Sequence, residues 1–294
     1  MTTPADPHAE TVEARLPTIE EVEANVQRLR AQREARARTA GIVYPILAVV
    51  GVLVLWEAAA RVFAIPAFIL PAPSLIAASL AAHFGLILYQ GWVTTSEILL
   101  GFGLSIAIGV PLALAIFLSP AFARAVYPLL ISSQAIPKVA VAPLFIVWFG
   151  FSLLPKVLIA FLIAFFPVVI NTAVGLATIE PEKILLAQSM GFGAAATFFK
   201  VRLANALPLI FGGLKISITL AVVGAVVGEF VGGDAGLGYL LMVANGSMDT
   251  PLLFAAIFGL TVLGVAFFLL IEIAERLAIP RHAERQRAGA HESM

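Results

Sequence analysis

The side chains in this sequence most able to do chemistry are ionisable groups set within or at the ends of long apolar runs: Glu57, Glu97, Lys138, Lys215 and Glu229. A charge placed at the centre of a bilayer costs about 2.5 kcal/mol or more, so each needs a partner or a task. For Glu57 and Lys215, snorkelling or a structural pair near an interface is expected. Lys138 is different, because it follows Gln134-Ala135-Ile136-Pro137 and precedes Pro143. A helix broken there frees backbone groups that must face protein or a water-filled cavity. Ser132, Ser133, Gln134 and Lys138 are therefore candidates for lining a pathway, with packing as the alternative. Glu229 precedes Gly232-Gly233-Asp234 and Gly236-Leu237-Gly238, where it either lines an outer gate or caps its helix.

Enzymatic chemistry finds little support. The sequence contains no GxxxxGK[ST] phosphate loop, no GxGxxG opening a helix after a strand, and no HExxH. His8, His83, His282 and His291 are scattered, and there is no cysteine. No catalytic residue, metal site or cofactor is expected, and the chain cannot hydrolyse ATP unaided. Net charge is zero, so charge balance makes no case for nucleic acid.

The elements that must position these groups follow from composition. The chain has 294 residues, 61% hydrophobic and 12% charged, against about 25% charged in a soluble domain. After residue 40, apolar runs recur near the roughly 20 residues that cross a bilayer. The pattern predicts an all-α integral membrane protein with spans near 41–62, 91–118, 125–149, 154–177, 207–231 and 252–276. Pro66, Pro71 and Pro73 break the helix after the first span, ahead of a short amphipathic piece. Gly101, Gly103, Gly109 and Pro111 suggest close packing or a kink in the second. The polar start lacks an apolar core, so no cleavable signal peptide is expected. From Thr18 it reads as a solvated helix with a capping-box pattern, Thr18 to Glu21.

Lys and Arg in the short loops set orientation. Arg28, Arg30, Arg33, Arg36 and Arg38 precede span one, and Arg124 lies between spans two and three. Lys183, Lys200 and Arg202 lie between four and five, and Arg276, Arg281, Arg285 and Arg287 follow span six. The opposite loops hold Lys156 and Arg61. Both termini and the segment from Glu180 to Pro208 are thus expected in the cytoplasm. That segment reads as helix–Gly–helix: Pro181 suits a helix N1 position, Glu180 and Glu182 suit its dipole, and Gly191 and Gly193 permit a tight turn. Phe198, Phe199, Val201 and Leu203 then offer apolar contacts beside Lys200 and Arg202, and Pro208 marks re-entry into the membrane.

The segment resembles the EAA loop of binding-protein-dependent ABC importer permeases, of pattern E-A-A, three residues, Gly, nine residues, I-x-L-P. Counting from Gly191, Ala187 holds the third triplet position, Val201 the Ile position and Leu203 the Leu position. Leu185 stands in place of the family's Glu, Leu186 in place of the first Ala and Ala204 in place of Pro. Over residues 41–282, LPAPS at 70–74, PLFIVWFGFS at 143–152, FFPVVINT at 165–172 and GLGYLL at 236–241 resemble the nitrate/sulfonate/taurine branch. The resemblance implies a type I importer permease (MetI-like) in the bacterial inner membrane. Its parts are a 1–40 tail, a 41–90 first span and external loop, a 91–276 permease core with coupling loop 180–206, and a 277–294 tail. It implies a homodimer with two cytoplasmic ATPase subunits and an external binding protein. Glu182, Leu185, Leu186, Ala187, Gly191, Val201 and Leu203 would couple to the ATPase, with Pro181–Met190 as coupling helix. The substrate would be a nitrate-, sulfonate- or taurine-type anion or a vitamin-precursor heterocycle. The competing expectation is an autonomous ion- or proton-coupled carrier using Lys138 and Glu229, against which the lack of an internal repeat weighs.

Overall fold

A computed structural model describes residues 43–279, and among these there are helices and no strands. The polar helix expected from Thr18, the tail beyond Ile279 and their arginines lie outside the described residues. The chain divides into two units, Met1–Ala64 and Ile65–Met294. In the first, the described element is α1, Val43–Val62. Near its end Glu57 pairs with Arg61 at 2.5 Å, the structural pair expected of Glu57.

The second unit runs α2 (Pro73–Ala82), α3 (Phe84–Leu118), α4 (Pro120–Gln134), α5 (Lys138–Phe149), α6 (Leu153–Ala177), α7 (Pro181–Ser189), α8 (Ala194–Thr197), a π-helical turn (Phe198–Arg202), α9 (Leu203–Gly232), α10 (Leu237–Gly246) and α11 (Thr250–Ala278). Helix starts follow local chemistry. Pro73, Pro120 and Pro181 sit at the first turn, where a missing N–H costs nothing. The Ser119 hydroxyl accepts from Phe122 N at 3.3 Å, and Asp249 accepts from Leu252 N at 3.1 Å.

Five helices among the described residues are long and apolar enough to cross a membrane, and the α4–α5 pair makes a sixth if counted as one span. That pair is bent by 93°, so the third predicted span is a broken helix, as Pro137 suggests, while Pro143 lies inside α5 and does not break it. The fifth differs more from expectation. The second helix expected after Gly193 and the span expected at 207–231 are one run of 39 residues, Ala194–Gly232. Pro208 lies inside it, where it cannot donate to the Ala204 carbonyl. The run loosens just before this point, with Leu203 N reaching back to the Phe198 carbonyl in π-helical spacing. At about 1.5 Å per residue it is roughly 58 Å long, nearly twice the hydrocarbon thickness.

α6 is the central helix, packed most extensively against α9 and then α3. Small residues permit this closeness, as bilayer helices require in the absence of a hydrophobic drive between them. A Cβ on Gly224 would lie 2.6 Å from Ala160 Cα, and one on Gly101 2.6 Å from Ala160 Cβ. Gly109 faces Val168 in the same way, whereas Gly103 meets nothing nearby. Lys215 of α9 pairs with Glu272 and, at 2.5 Å, with Glu275 of α11, which fulfils the structural expectation for it.

Candidate functional site

The loop between α6 and α8 is organised by its own backbone. Glu180 precedes α7, Pro181 opens it and Glu182 lies in its first turn. Lys183 folds back to Glu180 at 3.2 Å. At the other end Gly191 N donates to the Gln188 carbonyl at 2.9 Å, and Phe192 N to the Ala187 carbonyl at 3.0 Å. These are the paired bonds of a Schellman motif, and Gly191 at its C′ position has φ +81°. A Cβ there would touch nothing within 4 Å. The demand for glycine is therefore conformational and not steric.

This turn leaves large apolar side chains in the open. Leu185 and Leu186 are 64% and 62% exposed, and Met190 and Phe199 are 66% and 65% exposed. Glu182 is exposed beside them. Of the other residues expected to couple, Ala187 is buried, so it holds the turn through its carbonyl and presents no surface. Val201 and Leu203 are half-buried. Arg202 and Lys200 do not project freely either. The Arg202 guanidinium stacks 5.2 Å from the Phe117 ring, and Lys200 Nζ lies 5.5 Å from that of Phe192.

The break between α4 and α5 gathers Ser132, Ser133, Gln134 and Lys138. Gln134 and Ser132 are exposed, and Ser133 is tied to the Leu130 carbonyl at 2.7 Å. Lys138 is half-buried, its Nζ 4.7 Å over the Phe166 ring of α6.

Glu229 does not join them. It is 1% exposed and sits at the far end of the 39-residue run, in a polar cluster of which only it and an isolated Glu97 were singled out from sequence. Thr94 Oγ1 donates to Glu229 Oε1 at 2.6 Å, and Gly238 N donates to Oε2. Leu237 N donates to Thr94 Oγ1 at 2.8 Å, and Gly236 N to Gln90 Oε1 at 2.7 Å. The amides of Gly236, Leu237 and Gly238 at the start of α10 are thus capped by side chains of α3 and α9. Of the two roles open to Glu229, the geometry matches a helix cap, though for α10 and not for its own helix.

Lys156 completes the cluster. It was expected in an outer loop, but it lies inside α6 and is 4% exposed. Its Nζ is 3.2 Å from Glu97 Oε1 and 3.2 Å from Asp234 Oδ1. The Lys156 ammonium beside Asp234 holds that exposed carboxyl below the usual carboxylate range. The signal in sequence was a lysine and a glutamate each alone in an apolar run, but nothing local paired them. A groove of about 860 Å³ involves none of these charges. It is an apolar trough between α3 and α11, flanked by Trp92, Phe258 and Leu263.

The family model described as binding-protein-dependent transport system inner membrane component matches residues 101–281. The chain is 36% identical over 237 residues to the formylaminopyrimidine transport permease protein ThiX of Halalkalibacterium halodurans, covering 80% of this chain and 94% of that one. It is 41% identical over 229 residues to the riboflavin transport system permease protein RibX of Chloroflexus aurantiacus, covering 77% and 85%. To a putative aliphatic sulfonates transport permease protein SsuC of Bacillus subtilis it is 32% identical over 234 residues, covering 76% and 82%. Its fold is similar to a chain of an inward-facing methionine ABC transporter, with TM-score 0.57, 17% identity, and coverage of 68% of this chain and 99% of that one.

Proposed function

The chain belongs to the family of binding-protein-dependent transport system inner membrane components, and from that premise we propose how its parts divide the work. It is the permease subunit of an ABC importer, a multi-pass inner-membrane protein whose ATP is hydrolysed by a separate subunit. In this proposal α7 is the coupling helix and seats in the ATPase, on the cytoplasmic side where Lys183, Lys200 and Arg202 collect. Two copies of the chain enclose the pathway, and an external binding protein delivers substrate to it. ATP-driven closure of the ATPases pulls on α7, and the Gly191 turn passes the movement into the run from Ala194 to Gly232. Membership of an ATP-driven family removes the motive for an autonomous carrier.

One observation carries this assignment. Leu185, Leu186, Met190 and Phe199 are exposed on a backbone that is locally fixed by the Gly191 motif. Ordered apolar side chains at a membrane surface mark a surface that a partner covers. The leucines stand where the family carries Glu and Ala, so the partner's groove is apolar at those positions.

For the substrate, a heterocyclic vitamin precursor is favoured over a small sulfonate. The pyrimidine and riboflavin permeases are 36% and 41% identical to this chain, and the sulfonate permease 32%. Reconstitution with the neighbouring ATPase and binding protein tests both parts. Expected is ATP-dependent uptake of labelled aminopyrimidine or flavin, with none of aliphatic sulfonate. Uptake of sulfonate alone would reverse the substrate assignment, and uptake without ATP would end the coupling one.

A further inference from the structure

Three lysines, Lys138, Lys156 and Lys215, fall within the expected spans, and the structure treats them differently. Lys156 of α6 reaches Glu97 and Asp234, each at 3.2 Å. Lys215 of α9 reaches Glu272 and Glu275. Lys138 of α5 reaches no carboxyl among the described residues, and its Nζ meets only the Phe166 ring, 4.7 Å away. No carboxyl nearby is left over for it. Glu229 is bonded to Thr94 and Gly238, Glu180 to Lys183, and Asp249 caps α11. An aromatic face attracts an ammonium far less than a bilayer penalises its charge. The position adds to that penalty, because Lys138 is the first residue of α5, where the helix dipole already disfavours a cation.

We propose that Lys138 selects the charge of the transported molecule: its ammonium receives a carboxylate, sulfonate or phosphate group as that molecule passes the α4–α5 break. Phe166 is buried among Ile116, Leu130 and Val169, so the ammonium is set over a fixed ring. The 93° bend leaves Ser132 and Gln134 exposed on one limb and Lys138 half-buried on the other. An ionisable group at membrane depth with no partner in its own chain marks a pathway. A molecule lacking the negative group leaves the ammonium unpaired and is rejected, as sites built around one polar contact reject analogues without it. The inference rests on the permease reading, in which two copies enclose a pathway, and adds a property of the substrate to it. A pyrimidine or flavin would meet that requirement as its phosphate ester.

The sequence has no cysteine, so Lys138→Cys places a single thiol at the break. The full chain is reconstituted in proteoliposomes with its ATPase and binding protein. Uptake is measured for riboflavin against flavin mononucleotide, for hydroxymethyl-aminopyrimidine against its phosphate ester, and for ethanesulfonate. The wild type is expected to carry a probe that bears a negative group, and Lys138→Cys to lower that uptake about tenfold, as loss of one good ionic contact does. Aminoethyl methanethiosulfonate rebuilds an ammonium on the thiol and is expected to restore uptake. The sulfonatoethyl reagent places an anion there and is expected not to. Restoration on the same protein excludes a folding defect, and Lys138→Arg, which keeps the charge, is expected to retain uptake. Transport of an uncharged probe alone, equal uptake by wild type and Lys138→Cys, or equal restoration by both reagents overturns the proposal. So does a thiol that neither reagent reaches, which would set Lys138 against lipid, or loss of the dimer in Lys138→Cys, which would put its countercharge on the second copy. Uptake without ATP strikes the importer reading alone, because charge selection is read from the contrast between the two reagents.

Discussion

At its Ala194 end the long helical run meets leucine, methionine and phenylalanine side chains lying in the open. At its Gly232 end it meets carboxyls and an ammonium sealed from water. Each end reverses the usual placement of apolar and charged groups, and the reversals differ in kind. The charges at the Gly232 end find their partners inside the chain, in Thr94, Lys156 and the amides of α10. The leucines of α7 find none among the described residues, although the backbone at the end of α7 is tied down by the Gly191 and Phe192 bonds. A closed set of contacts makes an anchor, and an ordered but uncovered set is what the proposed ATPase docking requires. The helix between them joins the two.

Lys156→Met attacks the anchor hardest. Removing one partner of a buried ion pair typically costs about 3–5 kcal/mol. A large fall in thermal stability is expected, with most of it restored by adding Glu97→Gln. Failure of the second substitution to restore stability would mean that the charges are not coupled. Next is Gly191→Val, at the docking end. Forcing a side chain to positive φ costs about 1–2 kcal/mol, and more room does not help because the space is already free. Membrane insertion should persist while ATP-driven uptake is lost. Normal uptake by this variant would remove the turn from the coupling path.

Leu185→Ala should leave stability within about 0.5 kcal/mol, as for other exposed positions. It should weaken ATPase binding by about tenfold, or 1.4 kcal/mol, measured by titrating ATPase onto the permease in nanodiscs. Unchanged affinity would show that the exposed leucines are lipid-facing and not docked. Lys138→Met is the mildest to the fold, removing a cation–π contact of about 0.5–1 kcal/mol. Transport rate should change with ATPase binding intact. If rate and substrate affinity both stay the same, Lys138 packs the bend and does nothing more.

The α7–Gly191 turn was largely legible in sequence, because helix capping is local. Pro181, Glu182 and Gly191 announce a start and a stop through rules that span a few residues. Its limits were Ala187, whose burial depends on neighbouring helices, and Pro208, where tertiary packing carried a helix through a residue that usually breaks one. The α4–α5 break was likewise foreseen from Pro137. The Glu97–Lys156–Glu229 cluster was not. Glu97 and Lys156 are on different helices, and although the predicted fourth span, 154–177, already includes Lys156, a lysine so near its start counts toward the adjoining loop until its buried partner on another helix is seen.

Sequence alone determined that this chain crosses a membrane several times, which segment turns tightly outside it, and to which family it belongs. Those features depend on hydrophobic run length, loop charge and short-range backbone chemistry, which neighbouring residues decide. Only the tertiary structure decided which charges are paired, which apolar side chains stay uncovered, and that one continuous helix links them. Burial and ion pairing depend on which helices come together. Here the small residues of α3, α6 and α9 set that contact, bringing Glu97, Lys156 and Glu229 from distant parts of the chain into one site.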